Sequence, residues 1–244
     1  MCAGRQQGFV LVTAVIFIFV LSALAVMALR GSVFEERMSA NDRDIAVARE
    51  YAEMALRDAE RDILGLRFDG TYCASSSPGC TTRRPATTRP TDAAESKGFW
   101  NVPAIYNTET EIALDDGGAT LTDVANKGVY TLNSVTACGK PVWSAADWND
   151  GVSRTCEDTI TTTVPTIEYG TFTDAPFVGP DGNAPQGIPA PRYIIEMLPG
   201  IDVMGKLSNS SKVFFRITAV GFGRAVSPLG GRTSVTLQSV FSPL

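Results

Sequence analysis

The chain of 244 residues contains no histidine. That removes the commonest general base and metal ligand, and with them the Ser-His and Cys-His nucleophile pairs. Carboxylate and lysine chemistry remain. Beyond Cys2, the cysteines fall into two local pairs, Cys73 with Cys80 and Cys138 with Cys156. Neither has CxxC spacing, and no His is present to complete a zinc tetrahedron. Oxygen-bearing side chains alternate at Asp147, Asn149 and, twelfth in the run, Asp158, the spacing of a calcium loop. Yet Gly151 falls fifth instead of sixth and the closing residue is not Glu, so an ordinary Asn-Asp-Gly turn is the stronger reading. No P-loop, GxSxG or HExxH pattern occurs. Glu35 and Glu36 sit beside a long apolar run, a poor place for a substrate cleft. Arg83, Arg84 and Arg89 lie in a stretch rich in Ser, Thr and Pro. With a net charge of −5 they are too small a basic footprint for nucleic acid. These residues predict no catalytic activity, no cofactor, no resident metal and no nucleic-acid partner.

The elements that must position any function begin with Phe9–Leu29, 21 residues without charge, Gly or Pro. As a helix they would span about 31 Å, the thickness of a bilayer's hydrocarbon core. A buried core helix is rarely apolar on every face. A secretory signal peptide would carry a shorter apolar core followed by a small-residue cleavage site, and Ala23–Ala28 is still inside the run. Ahead of it stands only the short polar stretch Met1–Gly8, with Arg5 its single charge. The positive-inside rule puts that end in the cytoplasm and the body across the inner membrane.

Beyond Arg30 the helix should continue in amphipathic form. Met38, Ile45, Ala52 and Ala59 recur every seven residues, and Ala48, Ala55, Leu56 and Ile63 fill the same stripe. Glu53 and Arg57 are spaced for an i,i+4 pair. Gly65 is the expected stop, and Gly31-Ser32 the weakest point. Short β-like runs follow at Ala119–Leu121, Val129–Leu132 and Thr159–Ile167, then firmer strands at Arg192–Leu198, Lys212–Phe222 and Arg232–Phe241. Gly230-Gly231 would turn the last hairpin. Trp143 and Trp148 fit core or surface equally. One spine helix followed by antiparallel strands is an α+β arrangement.

Two blocks on the helix make a specific match. Glu35-Glu36-Arg37-Met38-Ser39-Ala40-Asn41-Asp42-Arg43-Asp44 and Ala52-Glu53-Met54-Ala55-Leu56-Arg57-Asp58-Ala59-Glu60 closely resemble the EERMxxNxRD and AExALRDAE blocks of the PilX family of type IV pilus minor pilins. The stretch Phe215–Ala219 and the stretch Ser234–Phe241 resemble that family's closing strands, while the middle, about residues 65–187, resembles nothing specific. The Gly8–Phe9 boundary looks like a prepilin cleavage site, in which the leader is cut ahead of the hydrophobic segment.

The resemblance implies a type IV pilin-like fold, a long hydrophobic then amphipathic helix packed on an antiparallel β-sheet head. It divides the chain into a leader (1–8), a transmembrane and assembly helix (9–29), its amphipathic continuation (30–64) and an extracytoplasmic head (65–244). It further implies a non-catalytic role in pilus assembly in the priming or tip complex. Gly8 and Phe9 would be the sites of leader cleavage and N-methylation by a prepilin peptidase. Other minor pilins, the major pilin and the inner-membrane assembly platform would be partners. Glu35, Glu36, Arg37, Met38, Asn41, Arg43, Glu53, Leu56, Arg57 and Glu60 would carry the family blocks. Major pilins have Glu at the fifth mature position; here it is Thr13, as in tip-type minor pilins. An oxidising location would favour disulfides Cys73–Cys80 and Cys138–Cys156, out of three possible connectivities, over four reduced thiols. A tip-type pseudopilin of type II secretion and a pilus-borne adhesin are the alternatives.

Overall fold

The computed structural model describes residues 7–73, 128–131, 141–149, 165–179, 182–198, 214–228 and 230–243. Helix α1 runs Gln7–Leu64, 58 residues, unbroken at Gly31. It is followed by strand β1 (Val129–Thr131), the short helix α2 (Val142–Ala145), β2 (Ile167–Glu168), β3 (Arg192–Leu198), β4 (Phe214–Val226) and β5 (Arg232–Phe241). The chain forms two compact units, Met1–Arg43 and Asp44–Leu244.

In the first unit the apolar run is helical and its large side chains, from Phe9 to Leu29, are exposed. No charge interrupts it, so among the described residues one helix is long and apolar enough to cross a membrane. Its two hydroxyl residues find partners on their own helix. Thr13 Oγ1 donates towards the Phe9 and Val10 carbonyls (3.1 and 2.9 Å) and Ser22 Oγ to the Ile18 carbonyl (2.7 Å). Neither brings an unsatisfied polar group into hydrocarbon.

In the second unit α1 is short-sided where it meets the sheet. Ala48, Ala52, Ala55, Ala59 and Ile63 are fully buried, with spacings of three and four that keep them on one face. Alanine also favours the helix intrinsically. The helix ends at a Schellman turn: Gly65, at φ 67°, donates to the Asp62 carbonyl (3.1 Å) and Leu66 to the Arg61 carbonyl (2.9 Å).

The sheet has the order β1-β3-β4-β5, and β2 shares with β1 the edge of β3 away from β4. All pairings are antiparallel except β1 with β3, which is parallel, a mixed edge on the expected antiparallel sheet. The β3 and β5 bounds coincide with those read from sequence. β4 runs four residues further, through a register shift between Phe222 and Val226. Of the expected Thr159–Ile167 strand, Ile167 falls in β2 while Pro165 and Thr166 are not strand; residues 159–164 and 119–121 lie outside the described residues. Ser227 and Gly231 close the β4–β5 hairpin, with Gly230 at φ 88°.

Period-two alternation gives the sheet two covered faces. Tyr193, Ile195, Phe215, Ile217 and Ala219 join Ala55, Ala59 and Ile63 of α1. On the other face Ile194, Val220 and Phe222 meet Tyr130, Val142, Ala145 and Trp148. Trp148 is core, its indole donating to the Trp143 carbonyl at 3.2 Å, whereas Trp143 is exposed.

Candidate functional site

The α1–sheet contact is unusually close because both sides lack bulk at one point. A Cβ added to Gly221 on β4 would lie 2.1 Å from the Ala48 carbonyl oxygen, 2.3 Å from the Ala52 nitrogen and 2.9 Å from the Tyr51 carbonyl carbon. Helix backbone therefore rests on strand backbone, between two alanines. Two residues on, a Cβ at Gly223 would fall 2.5 to 2.7 Å from the Asp44 carboxylate.

That carboxylate closes the lower end of the contact. Where β4 shifts register, the backbone N–H groups of Arg224 and Ala225 are released from the ladder. Asp44 takes both: Oδ1 accepts from Arg224 N at 2.5 Å and Oδ2 from Ala225 N at 3.1 Å. Burial raises the Asp44 carboxyl, but these N–H groups, the Thr233 hydroxyl and the Arg224 charge outweigh it and hold it below the usual carboxylate range.

A second carboxylate closes the upper end. Asp58 is fully buried, and its oxygens accept from the Gly170 N–H (2.8 Å) and from the Thr173 hydroxyl. Burial, with the neighbouring Asp62 charge, pushes it up to about 6 against the pull of those donors and Arg61. Asp62, one turn on, is also buried and accepts from Tyr193 Oη on β3 at 3.1 Å. On the opposite face of the sheet the buried Glu196 is held by Arg216, its cross-strand neighbour, through two bonds of 2.7 and 2.8 Å. The pairing keeps the Arg216 guanidinium above its ordinary value, chiefly through the hydrogen bond itself.

The residues singled out from sequence divide between the two units. Phe9, Glu35, Glu36, Arg37, Met38, Asn41 and Arg43 are exposed on α1, and Gly8 lies within the helix. Glu53, Leu56 and Glu60 are half-buried and Arg57 is exposed, with Leu56 packed against the main core. Glu53 pairs with Arg49, one turn before it, at 3.2 Å; the expected Arg57 lies one turn after it. The Glu60 carboxyl is raised by burial, against the Arg57 and Arg61 charges. The alanine stripe is buried from Ala48 onward, but Met38 and Ile45 are exposed: within the head, the sheet's grip on α1 starts at Asp44. Cys73 is buried and disulfide-bonded; Cys80, Cys138 and Cys156 lie outside the described residues. Asp147 Oδ1 accepts from the Asn149 N–H at 3.0 Å, an Asx turn with Asn149 at φ 55°, and Asp158 is outside the described residues.

In the sequence, Asp44 and Asp58 lie inside the two blocks and Arg216 inside a closing-strand match, none of them with a role, and the packing roles of Asp62, Gly221, Gly223 and Glu196 were missed. A signal existed for the two helix carboxylates Asp58 and Asp62. Asp58 and Asp62 fall on the same helix face as Ala55, Ala59 and Ile63, and a carboxylate at a core position demands donors.

A helix apolar enough for a bilayer, continuing into an alanine-faced half packed on a sheet, defines an α+β protein of the pilin-like class. Comparison with family profiles carries this further. Residues 7–57 match the PilX N-terminal profile and residues 69–243 that of the type IV pilus assembly protein PilX C-terminal region. The chain belongs to the PilX family of type IV pilus assembly proteins. No curated protein and no solved structure matches it.

Proposed function

We propose that this chain is a minor pilin of the type IV pilus, non-catalytic, acting in the priming or tip complex. The observation that carries the reading is the joining, in one PilX-family chain, of an apolar segment Phe9–Leu29, exposed among the described residues, to a helix half whose Ala48–Ile63 face is buried in the head. Such a segment is soluble in a bilayer before assembly and needs other helices around it afterwards. The head then resides in the periplasm and later on the extracellular pilus. Major pilin, other minor pilins and the inner-membrane platform are its partners.

Thr13 supports a place at the start of the filament. Its hydroxyl is occupied by its own helix and it offers no negative charge to a neighbouring subunit's N-terminal amine, which a buried amine needs. Gly8 and Phe9 are the proposed sites of leader removal and N-methylation. In an oxidising compartment the proposed disulfides are Cys73–Cys80 and Cys138–Cys156.

Intact mass and N-terminal sequencing of the protein from sheared surface filaments test the reading. A chain starting at N-methyl-Phe9 is expected. A chain that keeps Met1–Gly8 and stays in the membrane fraction overturns it. Gly8→Ala should leave the leader in place.

A further inference from the structure

The segment from Tyr169 to Gly179 crosses the upper half of α1 as an arm. Its first turn is fixed by Asp58, through the Gly170 N–H and the Thr173 hydroxyl. Further along, the Phe177 ring stacks edge-on against Tyr51 of α1, centroids 5.1 Å apart, and against Tyr169 at 6.2 Å. Within the arm, Phe172, Thr173 and Ala175 are buried. Two left-handed residues, Gly170 (φ 79°) and Asp174 (φ 55°), shape the turn. At Gly170 a Cβ would meet the Ala175 carbonyl oxygen at 2.1 Å, so the turn has one compact form.

We propose that this arm is a pH-responsive strap of the head, clamped onto α1 by Asp58 more tightly in mildly acid than in neutral medium. The clamp is geometric: one carboxylate, fully buried, is the joint partner of the arm's backbone and of its hydroxyl. Among the described residues, these groups face it. From α1 come the buried Asp62 carboxylate and the Arg61 charge. From β3 comes Tyr193, whose hydroxyl is given to Asp62. From the arm come Thr173 and Tyr169, the latter's phenol raised by burial first and by the Asp58 charge second. Arg67, beyond the helix end, is engaged with Asp69 (3.3 Å) and Asp174 (3.7 Å). Main-chain bonds, which do not titrate, also tie the arm: Phe68 N to the Thr173 carbonyl at 2.9 Å, Tyr169 N to the Pro191 carbonyl at 2.9 Å, Gly179 N to the Asn183 carbonyl at 2.7 Å and, within the arm, Asp174 N to the Gly170 carbonyl at 3.0 Å.

The sign follows from the burial. A carboxyl raised by closure favours the closed arm in its protonated form. That advantage is complete below the exposed value of 3.8 and is lost as pH rises through about 6. Protonated Asp58 keeps a carbonyl oxygen for Gly170 and a hydroxyl for Thr173, so the contacts survive while the cost of the buried charge disappears.

Hydrogen exchange on the full chain in detergent micelles, read by mass spectrometry on peptides covering 169–179, measures the opening. After correction for the intrinsic pH dependence of exchange, opening should fall about 10-fold between about pH 7.5 and pH 5. Asp58→Asn should flatten that dependence. Thr173→Val removes a donor that lowers the carboxyl and should retain a dependence at least as steep, so it keeps the test open if Asp58→Asn does not fold. A flat wild-type profile, or the wild-type slope in Asp58→Asn, overturns the proposal. A flat Thr173→Val profile does the same. None of these readouts depends on pilus assembly, so they fail or hold separately from the minor-pilin reading.

Discussion

Replacing Gly221 by Ala adds one methyl group at the point where α1 and β4 touch through backbone. The new Cβ would lie 2.1 and 2.3 Å from the Ala48 oxygen and Ala52 nitrogen, both fixed in a hydrogen-bonded helix. No rotamer can relieve either contact. Relief requires the helix and sheet to part by about 1 Å, and a gap of that size forfeits up to about half of the dispersion energy across it. The gap would open along Ala48, Ala52 and Ala55, all fully buried. Overpacking typically costs about 1–3 kcal/mol; with backbone on both sides the upper end applies. For a unit of this size about 3 kcal/mol lowers Tm by about 6–12 °C. Near-ultraviolet circular dichroism of the full chain in micelles, followed against temperature, would report it through the buried Trp148 and Tyr193. Gly31→Ala is the control: it sits in the same helix with nothing within 4 Å and should not lower Tm, since Ala is the better helix former. A Gly221→Ala protein melting within about 2 °C of wild type would refute the close-contact argument, because the overpacking cost it requires would be missing.

Asp44→Ala should cost about 1–2 kcal/mol, since the Arg224 and Ala225 N–H groups lose a charged acceptor but can reach water; denaturant titration measures it. Asp44 is held below the ordinary carboxylate range, so its stabilisation is present above that range and lost as pH falls through its folded value. In Asp44→Ala the loss of stability at the acid end should be shallower than in wild type. On the far face, Arg216→Met leaves the buried Glu196 unpaired and should destabilise by about 3 kcal/mol, more than Glu196→Gln, whose half-exposed partner Arg216 can be rehydrated; urea midpoints of the two variants decide the order. Val20→Arg at the middle of the apolar run should oppose membrane insertion by about 2.5–3.5 kcal/mol, and carbonate extraction of membranes would show the protein shifting to the soluble fraction.

The long elements were legible because their signals are local and periodic. Phe9–Leu29 has no charge to interrupt it, the Ala48-to-Ile63 stripe has helical spacing, and Gly65 ends the helix where a left-handed residue is required. β3 and β5 carry uninterrupted apolar or alternating patterns. β4 was read short at Phe222 because Gly223-Arg224 breaks alternation, and what continues the strand is the distant Asp44 carboxylate. Helix α2 is four residues long and begins after Pro141, too brief for any period. The tertiary role of Gly221 was invisible, since a glycine in a strand reads as weakness until the helix it admits is known. Asp58 and Asp62 stood in plain view on the core face, but their donors, Gly170, Thr173 and Tyr193, are over a hundred residues away.

That distance in sequence has a consequence for biosynthesis. The alanine face of α1 is complete by Leu64, yet its cover is drawn from far downstream: Val129, Ile167 and Phe172, then β3, β4 and Phe241 of β5. The face that needs shelter leaves the ribosome first and its shelter last. Until the final hairpin arrives, Asp44 has no bulge to hold and Ala48 no Gly221 to meet. Closure of the head waits on contacts between residues far apart in sequence, a topology that slows folding in general and leaves apolar surface open meanwhile. Loss of Arg232–Phe241 removes β5 and with it the partner strand of β4, which carries the Gly221 and Gly223 approaches to α1.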